Sequence, residues 1–149
     1  MRTPTQSSRL SGPTPQTAGI AITPDGSRPY VTNFTQLGGS VITIDIPSRT
    51  VIATIPVTSY PLSIFITPDG SLAYVLFPYQ DLIYVVDTLT NTVANTIGGV
   101  PHPNSVDFNP TGTRAYISSG TQPGTVRCWT PPLTRCLKHT LWVTSLWIP

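Results

Sequence analysis

The sequence predicts an all-β chain: a partial, open β-propeller of four-stranded antiparallel blades with a period of about 42–44 residues. Three observations lead there. The stretch "ITPDGSRPYV", beginning at Ile22, returns as "ITPDGSLAYV" at Ile66, with eight of ten letters unchanged across 44 residues. Charged residues make up only 9% of the 149, whereas Thr, Val, Ile and Tyr are abundant, a composition suited to half-buried pleated strands. Seventeen prolines argue against long helices, since each removes a backbone donor and clashes with the preceding turn.

The repeat is ordered as well as periodic. The turn "TPDG" occupies Thr23–Gly26 and Thr67–Gly70, and "NPTG" occupies Asn109–Gly112, at spacings of 44 and 42. Four residues after each Gly comes a tyrosine, Tyr30, Tyr74 and Tyr116, opening "YVTN", "YVLF" and "YISS". Strands ending near Asp45 and Asp87 follow, then Val51 and Val93 six residues on, and Ile55 and Ile97 four beyond those.

Local chemistry accounts for each landmark. In "TPDG", Pro presets φ at the first corner of a type I turn, Asp tolerates the second, and Gly supplies the left-handed residue that rejoins the hairpin. Apolar runs such as "LSIFI" and "AYVLF" flank these turns. The second period therefore predicts strands over about 62–66, 73–77, 82–87 and 92–97. Tyr30 to Asp45 is 15 residues and Tyr74 to Asp87 is 13, and the two-residue excess is expected in the loop "TQLGGS". A solenoid or a sandwich is the rival architecture, but sandwiches rarely copy a turn and its strand positions at a fixed period.

Tyr30-Val31-Thr32-Asn33 spells the tetrapeptide for which the YVTN β-propeller repeat family is named, and "TPDGSRPYVTN", the strand ending in Asp45 and "TVIATIPV" resemble that family's repeat. The resemblance covers residues 18 to about 126, nearly three repeats; the second and third copies keep the Tyr and lose the Asn. It implies a relationship to surface-layer and cell-envelope propeller proteins, hence an extracellular or envelope location. No signal peptide is visible in the sequence.

The chain divides into a flexible leader, 1–17, two full and one partial blade, 18–126, and an aberrant tail, 127–149. The tail contains no Asp, both cysteines and all three tryptophans. Read one base out of frame, Cys128 into Trp129 must encode Leu and Trp129 into Thr130 must encode Asp. Six places on, Arg135 into Cys136 gives Val, Leu or Met, and thirteen places on, Trp142 into Val143 gives Gly. The intact copies carry Val at plus six, so the tail reads as the rest of a third repeat translated out of frame, expected to order poorly or pack opportunistically. A new structural element is the other reading.

Several function classes are disfavoured. The net charge of +2 owes three cations to the last 23 residues; the rest sets five Arg against six Asp, with no basic, aromatic-interleaved stripe for nucleic acid. No apolar run approaches the roughly 18 residues a membrane-spanning helix needs. Glu is absent altogether, which removes the commonest carboxylate for general acid–base work.

Each candidate functional residue also has a plainer structural role. Asp25 and Asp69 are metal ligands at a loop rim or, as turn chemistry favours, partners of their own backbone. Asp45 and Asp87 end strands and are expected to cap the following turn. His102, between Pro101 and Pro103, is a candidate acid–base or an ordinary loop residue. Gly38-Gly39 and Gly98-Gly99 are assigned to turns, and no phosphate-cradling glycine loop is present. Cys128 and Cys136 form a disulfide only in an oxidising compartment and lack metal-site spacing. Asn33-Phe34-Thr35 fits a glycosylation sequon. The column Tyr30, Tyr74 and Tyr116 is either a sugar-stacking platform or, as favoured, filling between blades.

No catalytic, cofactor-binding or metal-binding set is expected, and no cofactor. The function predicted is a non-enzymatic binding or scaffold module, a fragment of a longer repeat protein whose loops meet a protein, glycan or envelope component. Open blade faces add the expectation of self-association. The alternatives are a fragment of a propeller enzyme, lactonase-like or redox, and an inactive truncated gene product.

Overall fold

The computed structural model describes residues 15–120, 125–130 and 135–142, with the backbone alone for 129–130 and 135–142. Among the described residues, twelve strands form three four-stranded antiparallel sheets, each in chain order. The first holds β1 (Gln16–Ile22), β2 (Pro29–Thr35), β3 (Gly38–Asp45) and β4 (Thr50–Val57). The second holds β5 (Ser63–Ile66), β6 (Leu72–Phe77), β7 (Leu82–Asp87) and β8 (Thr92–Gly98). The third holds β9 (Pro103–Phe108), β10 (Ala115–Ser119), β11 (Thr125–Thr130) and β12 (Arg135–Trp142). The predicted quartet in the second period is matched strand for strand.

The sheets stack as consecutive wedges. Tyr30, Val41 and Ile55 on one face of the first sheet close against Ile64, Ala73, Val75, Phe77 and Val86 of the second. The second sheet's other face, with Tyr74, Leu76, Ile83, Val85 and Ile97, closes against Val106, Ala115 and Ile117 of the third. Burial on both faces explains why "AYVLF" is a continuous apolar run instead of an alternating one. The first strands lean together at one rim: a Cβ on Gly19 of β1 would lie 2.9 Å from the Leu62 carbonyl oxygen, just before β5. Glycine permits that approach.

Local chemistry sets the boundaries, and several differ from expectation. The excess in "TQLGGS" lengthens strands instead of a loop: β2 and β3 run to Thr35 and from Gly38, leaving only Gln36 and Leu37 between them. In the second sheet Pro78, which has no N–H for a ladder, opens a short 3-10 turn, Pro78–Gln80, and β6 stops at Phe77. Gly38 and Gly39 thereby open β3, and Gly98 closes β8; Gly38 and Gly99 take positive φ, of 156° and 70°. β1 begins at Gln16, inside the segment 1–17 expected as leader, of which residues 1–14 lie outside the described residues. Finally, the third sheet runs to four strands in the backbone, with β11 on β10 and β12 on β11, where a partial blade ending at 126 was expected.

Candidate functional site

The two ends of the stacked sheets differ in chemistry. At one end lie the β1–β2 and β5–β6 turns together with the turns that leave β3 and β7. Ile46 N–H donates to the Ser27 carbonyl and Thr88 N–H to the Ser71 carbonyl, each at 3.0 Å. In "TPDG" the Gly26 N–H donates to Thr23 O at 2.8 Å, and Gly26 and Gly70 take φ of 73° and 75°. The Asp25 carboxylate accepts the Thr23 hydroxyl at 2.5 Å, the Ser27 N–H at 3.0 Å and the Ser27 hydroxyl at 2.8 Å. These bonds, the Thr23 hydroxyl foremost, hold its carboxyl down at about 2. Asp69 repeats the pattern with Thr67 and Ser71, and its carboxyl is likewise lowered, first by the Thr67 hydroxyl.

Asp45 and Asp87 cap the turns that follow them. Asp45 accepts the Ser48 N–H at 2.9 Å, and Asp87 accepts the N–H groups of Leu89 and Thr90, both at 2.8 Å. A small recess of about 240 Å³ lies among Asp25, Arg28, Asp69, Gly70 and Thr88. The carboxylates bordering it serve their own turns. Among the described residues no three His, Cys, Asp or Glu side chains gather as a metal-binding group.

The opposite end is aromatic. Between the first and second sheets Gln16, Phe34, Tyr60, Leu62 and Tyr79 line a recess of about 500 Å³. Phe34 and Tyr60 rings sit 5.2 Å apart, and Tyr60 meets Tyr79 edge-on at 6.2 Å, so the three form one connected cluster. Tyr60 and Tyr79 remain exposed. The site is held from below: a Cβ on Gly39 would collide with the Thr58 carbonyl and the Pro61 ring, so only glycine lets the β4–β5 connection lie this close to β3. Gln80 clasps that connection, donating from its amide nitrogen to Ser59 O at 2.9 Å and accepting the Thr58 hydroxyl at 2.8 Å. Tyr60 itself is left-handed, with φ of 60°, an uncommon state for a bulky residue that the surrounding contacts must enforce.

Reading the sequence missed this recess. One signal was available: Tyr60-Pro61 recurs 42 residues later as His102-Pro103. Both prolines are buried, and both preceding residues are left-handed, with φ of 60° and 43°. The repeat therefore fixes a kink at the entry to each new sheet, and the first kink aims a tyrosine outward. At the second kink His102 is exposed, its N–H bonded to the Asp81 carboxylate at 2.8 Å and its Nδ1 3.4 Å from the same oxygen. That arrangement clasps two loops.

The remaining candidates are dispersed. Tyr30 and Tyr74 are fully buried between sheets, as core filling requires, whereas Tyr116 is 40% exposed. Asn33 lies half-buried in β2, across from Ser40. Cys128 is a buried free thiol whose backbone faces Leu137, while Cys136 faces Trp129 and its side chain lies outside the described residues. No helix is long and apolar enough to cross a membrane among the described residues.

No protein-family model matches the chain, and no curated protein matches it. Solved structures do. The chain is similar to Kuenenia stuttgartiensis hydrazine synthase, with TM-score 0.72 and 24% identity over 87% of this chain and 37% of that one. It is also similar to the WD40 repeats of RRP9, with TM-score 0.68 and 20% identity over 89% of this chain and 40% of that one. A eukaryotic initiation factor superposes with TM-score 0.64 and 11% identity over 82% of this chain and 31% of that one. The chain thus spans well under half the length of these structures. What it shares with them is fold: consecutive antiparallel blades of a β-propeller.

Proposed function

We propose that the chain is a non-enzymatic binding or scaffold module, a segment of a longer propeller of the YVTN type, which meets its partner at the aromatic end of the blades. The reading rests on the recess formed by Phe34, Tyr60, Leu62 and Tyr79. Exposed tyrosines over an apolar floor offer area and a hydroxyl at low conformational cost, which suits the apolar face of a sugar ring or a proline or aromatic side chain. Glycine 39, Gln80 and the kink at Tyr60 pre-set the geometry before any ligand arrives. The family resemblance supports a cell-envelope setting, and the out-of-frame reading of the tail supports truncation of a longer gene.

The test is a titration followed by nuclear magnetic resonance, using a chito-oligosaccharide and a proline-rich peptide as probes. Resonances of Tyr60 and Tyr79 are expected to shift with one of the two, and Tyr60→Ala should weaken that binding at least tenfold. Shifts confined to the Asp25 and Asp69 turns would move the site to the other end. Stoichiometric metal after purification together with lactone turnover would replace this reading with the enzyme-fragment one.

A further inference from the structure

The two ends of the sheets divide the chain's polar chemistry between them. Every aspartate except Asp81 stands in, or within two residues of, a turn at the end that carries the "TPDG" hairpins. Arg28, Arg49 and Arg114 belong to turns of that same end. The connections at the aromatic end, residues 36–37, 58–62, 78–81 and 99–102, are of another kind. Their one carboxylate, Asp81, is taken up by the His102 N–H at 2.8 Å. What they otherwise present is hydroxyls, the amides of Gln36 and Gln80, and the rings of Tyr60 and Tyr79.

We infer that the aromatic recess takes an uncharged oligosaccharide of β-1,4-linked, all-equatorial pyranose rings, stacked on Tyr79 and hydrogen-bonded by Gln16. The inference rests on the binding reading above and names its ligand class. The walls of the recess belong to two neighbouring sheets, Gln16 and Phe34 to the first, Leu62 and Tyr79 to the second. No carboxylate, guanidinium or ammonium group lines it. A phosphate, a uronate or a basic side chain would lose water there and gain no counter-charge. Ring geometry then separates the neutral ligands. A polyproline helix seats its prolines between ring faces that run side by side. Here the Phe34 and Tyr60 planes are inclined by 52°, and those of Tyr60 and Tyr79 by 82°, so no such slot exists. Tyr79, 73% exposed, keeps ring surface free for a flat partner, with Phe34 and Tyr60 as the wall beside it. An all-equatorial pyranose is that partner: its faces carry C–H groups, and its hydroxyls point outward around the rim. Those hydroxyls need a donor and an acceptor together, which one amide supplies. Gln16, exposed at the recess, is the amide in its lining.

A nuclear magnetic resonance titration of the full chain with fully acetylated chitotetraose tests the inference, with a tetragalacturonate and a proline-rich peptide as contrasting probes. Chitotetraose should shift the Tyr60 and Tyr79 ring signals and the Gln16 side-chain amide, with an affinity unchanged between about 0.05 and 0.5 M salt. Tyr79→Ala should weaken it at least about tenfold, the loss of the stacking face. Tyr79→Phe, which keeps the ring, should bind like the wild type. Gln16→Ala should weaken it about two- to tenfold, the scale of a lost hydrogen bond. Both positions are exposed, so all three variants should keep their far-ultraviolet dichroism. Shifts with the peptide and none with chitotetraose would overturn the saccharide and leave the binding reading standing; shifts with neither would overturn both. Tighter, salt-sensitive binding of the galacturonate would overturn the requirement for an uncharged ligand. Tyrosine signals that move on dilution alone would place a second copy of the chain in the recess and overturn the assignment as well.

Discussion

Tyr74 and Tyr116 stand at the same step of the repeat, four residues after the turn glycine, yet one is fully buried and the other 40% exposed. Each lies in the second strand of its sheet with a strand on either side: Tyr74 pairs with Phe65 and Val85, and Tyr116 with Asp107 and Cys128. The larger difference is the neighbouring sheet. Tyr74 has the third sheet over it, with the Phe108 ring 5.1 Å away and edge-on, while no described sheet covers Tyr116. In a stack of repeats, a residue's worth is set by nearest-neighbour interfaces more than by its own strand. Tyr74→Ala should accordingly cost about 3–5 kcal/mol, the cost of removing a large aromatic from a packed core. Tyr116→Ala, measured at a concentration where the chain is monomeric, should cost under about 1 kcal/mol, the scale of a cross-strand pair on an exposed face. Urea denaturation of both variants checks this; equal costs would mean that the sheets do not depend on one another.

This difference also explains how much of the molecule was legible in the sequence. Turn, tyrosine and aspartate recur at fixed spacing because every blade needs the same hairpin, and so the second sheet's strands and the burial of Tyr30 and Tyr74 could be read directly. Asn109 stands where the first two turns carry Thr. The structure shows what the position demands: a side-chain oxygen for the N–H five residues on, taken from Thr23 by Arg28, from Thr67 by Leu72, and from Asn109 by Arg114. The aromatic recess was not legible. Phe34 comes from the end of β2, Tyr60 from the β4–β5 connection and Tyr79 from the turn after β6, and only Tyr60 belongs to a repeated landmark; its partners are products of strand length and of the turn at Pro78. The aromatic cluster gathers where the copies cease to agree.

The two buried tyrosines sharpen the comparison at atomic scale. Tyr30 places its hydroxyl at the Thr88 carbonyl and Asn91, whereas the Tyr74 hydroxyl is buried with no partner among the described residues. Tyr30→Phe should cost about 0.5–1.5 kcal/mol for the lost hydrogen bond. Tyr74→Phe should be neutral or slightly stabilising, since it removes a polar group that burial leaves unsatisfied. Burial pushes the Tyr74 hydroxyl up to about 12. Against about 10 in the unfolded chain, that raised value means stability present below pH 10 and lost as pH rises through 12. Tyr74→Phe should therefore flatten the alkaline limb of a stability–pH curve followed by thermal melting without loss at neutral pH, whereas Tyr30→Phe, whose hydroxyl burial also raises, should lower the curve at neutral pH as well as flatten that limb.

The smallest expected effect compares the turns themselves. Asp25 and Asp69 stand at the second corner of the first two turns, and Thr111 stands there in the third, bonded to Asn109 and Thr113. Because Asp25 titrates at about 2 in the folded chain and near 3.9 unfolded, the stability it gives is complete above the unfolded value and is lost as pH falls through about 2. Asp69, lowered in the same direction, adds to this acid limb. Replacing both by Asn should shallow the fall of the melting temperature between about pH 4 and 2 without abolishing it: the amide oxygen still accepts the bonds made to Oδ1 without titrating, while Asp45 and Asp87, also lowered by their bonds to Ser48 and Thr90, go on titrating. Thr111→Asp should do the reverse and steepen the acid limb of the third turn, whose backbone already repeats the first two through the Gly112 N–H and the Asn109 carbonyl at 2.8 Å. If neither change moves the acid limb, the aspartates cap these turns without contributing stability, and the shared "PDG" spelling reflects backbone geometry alone.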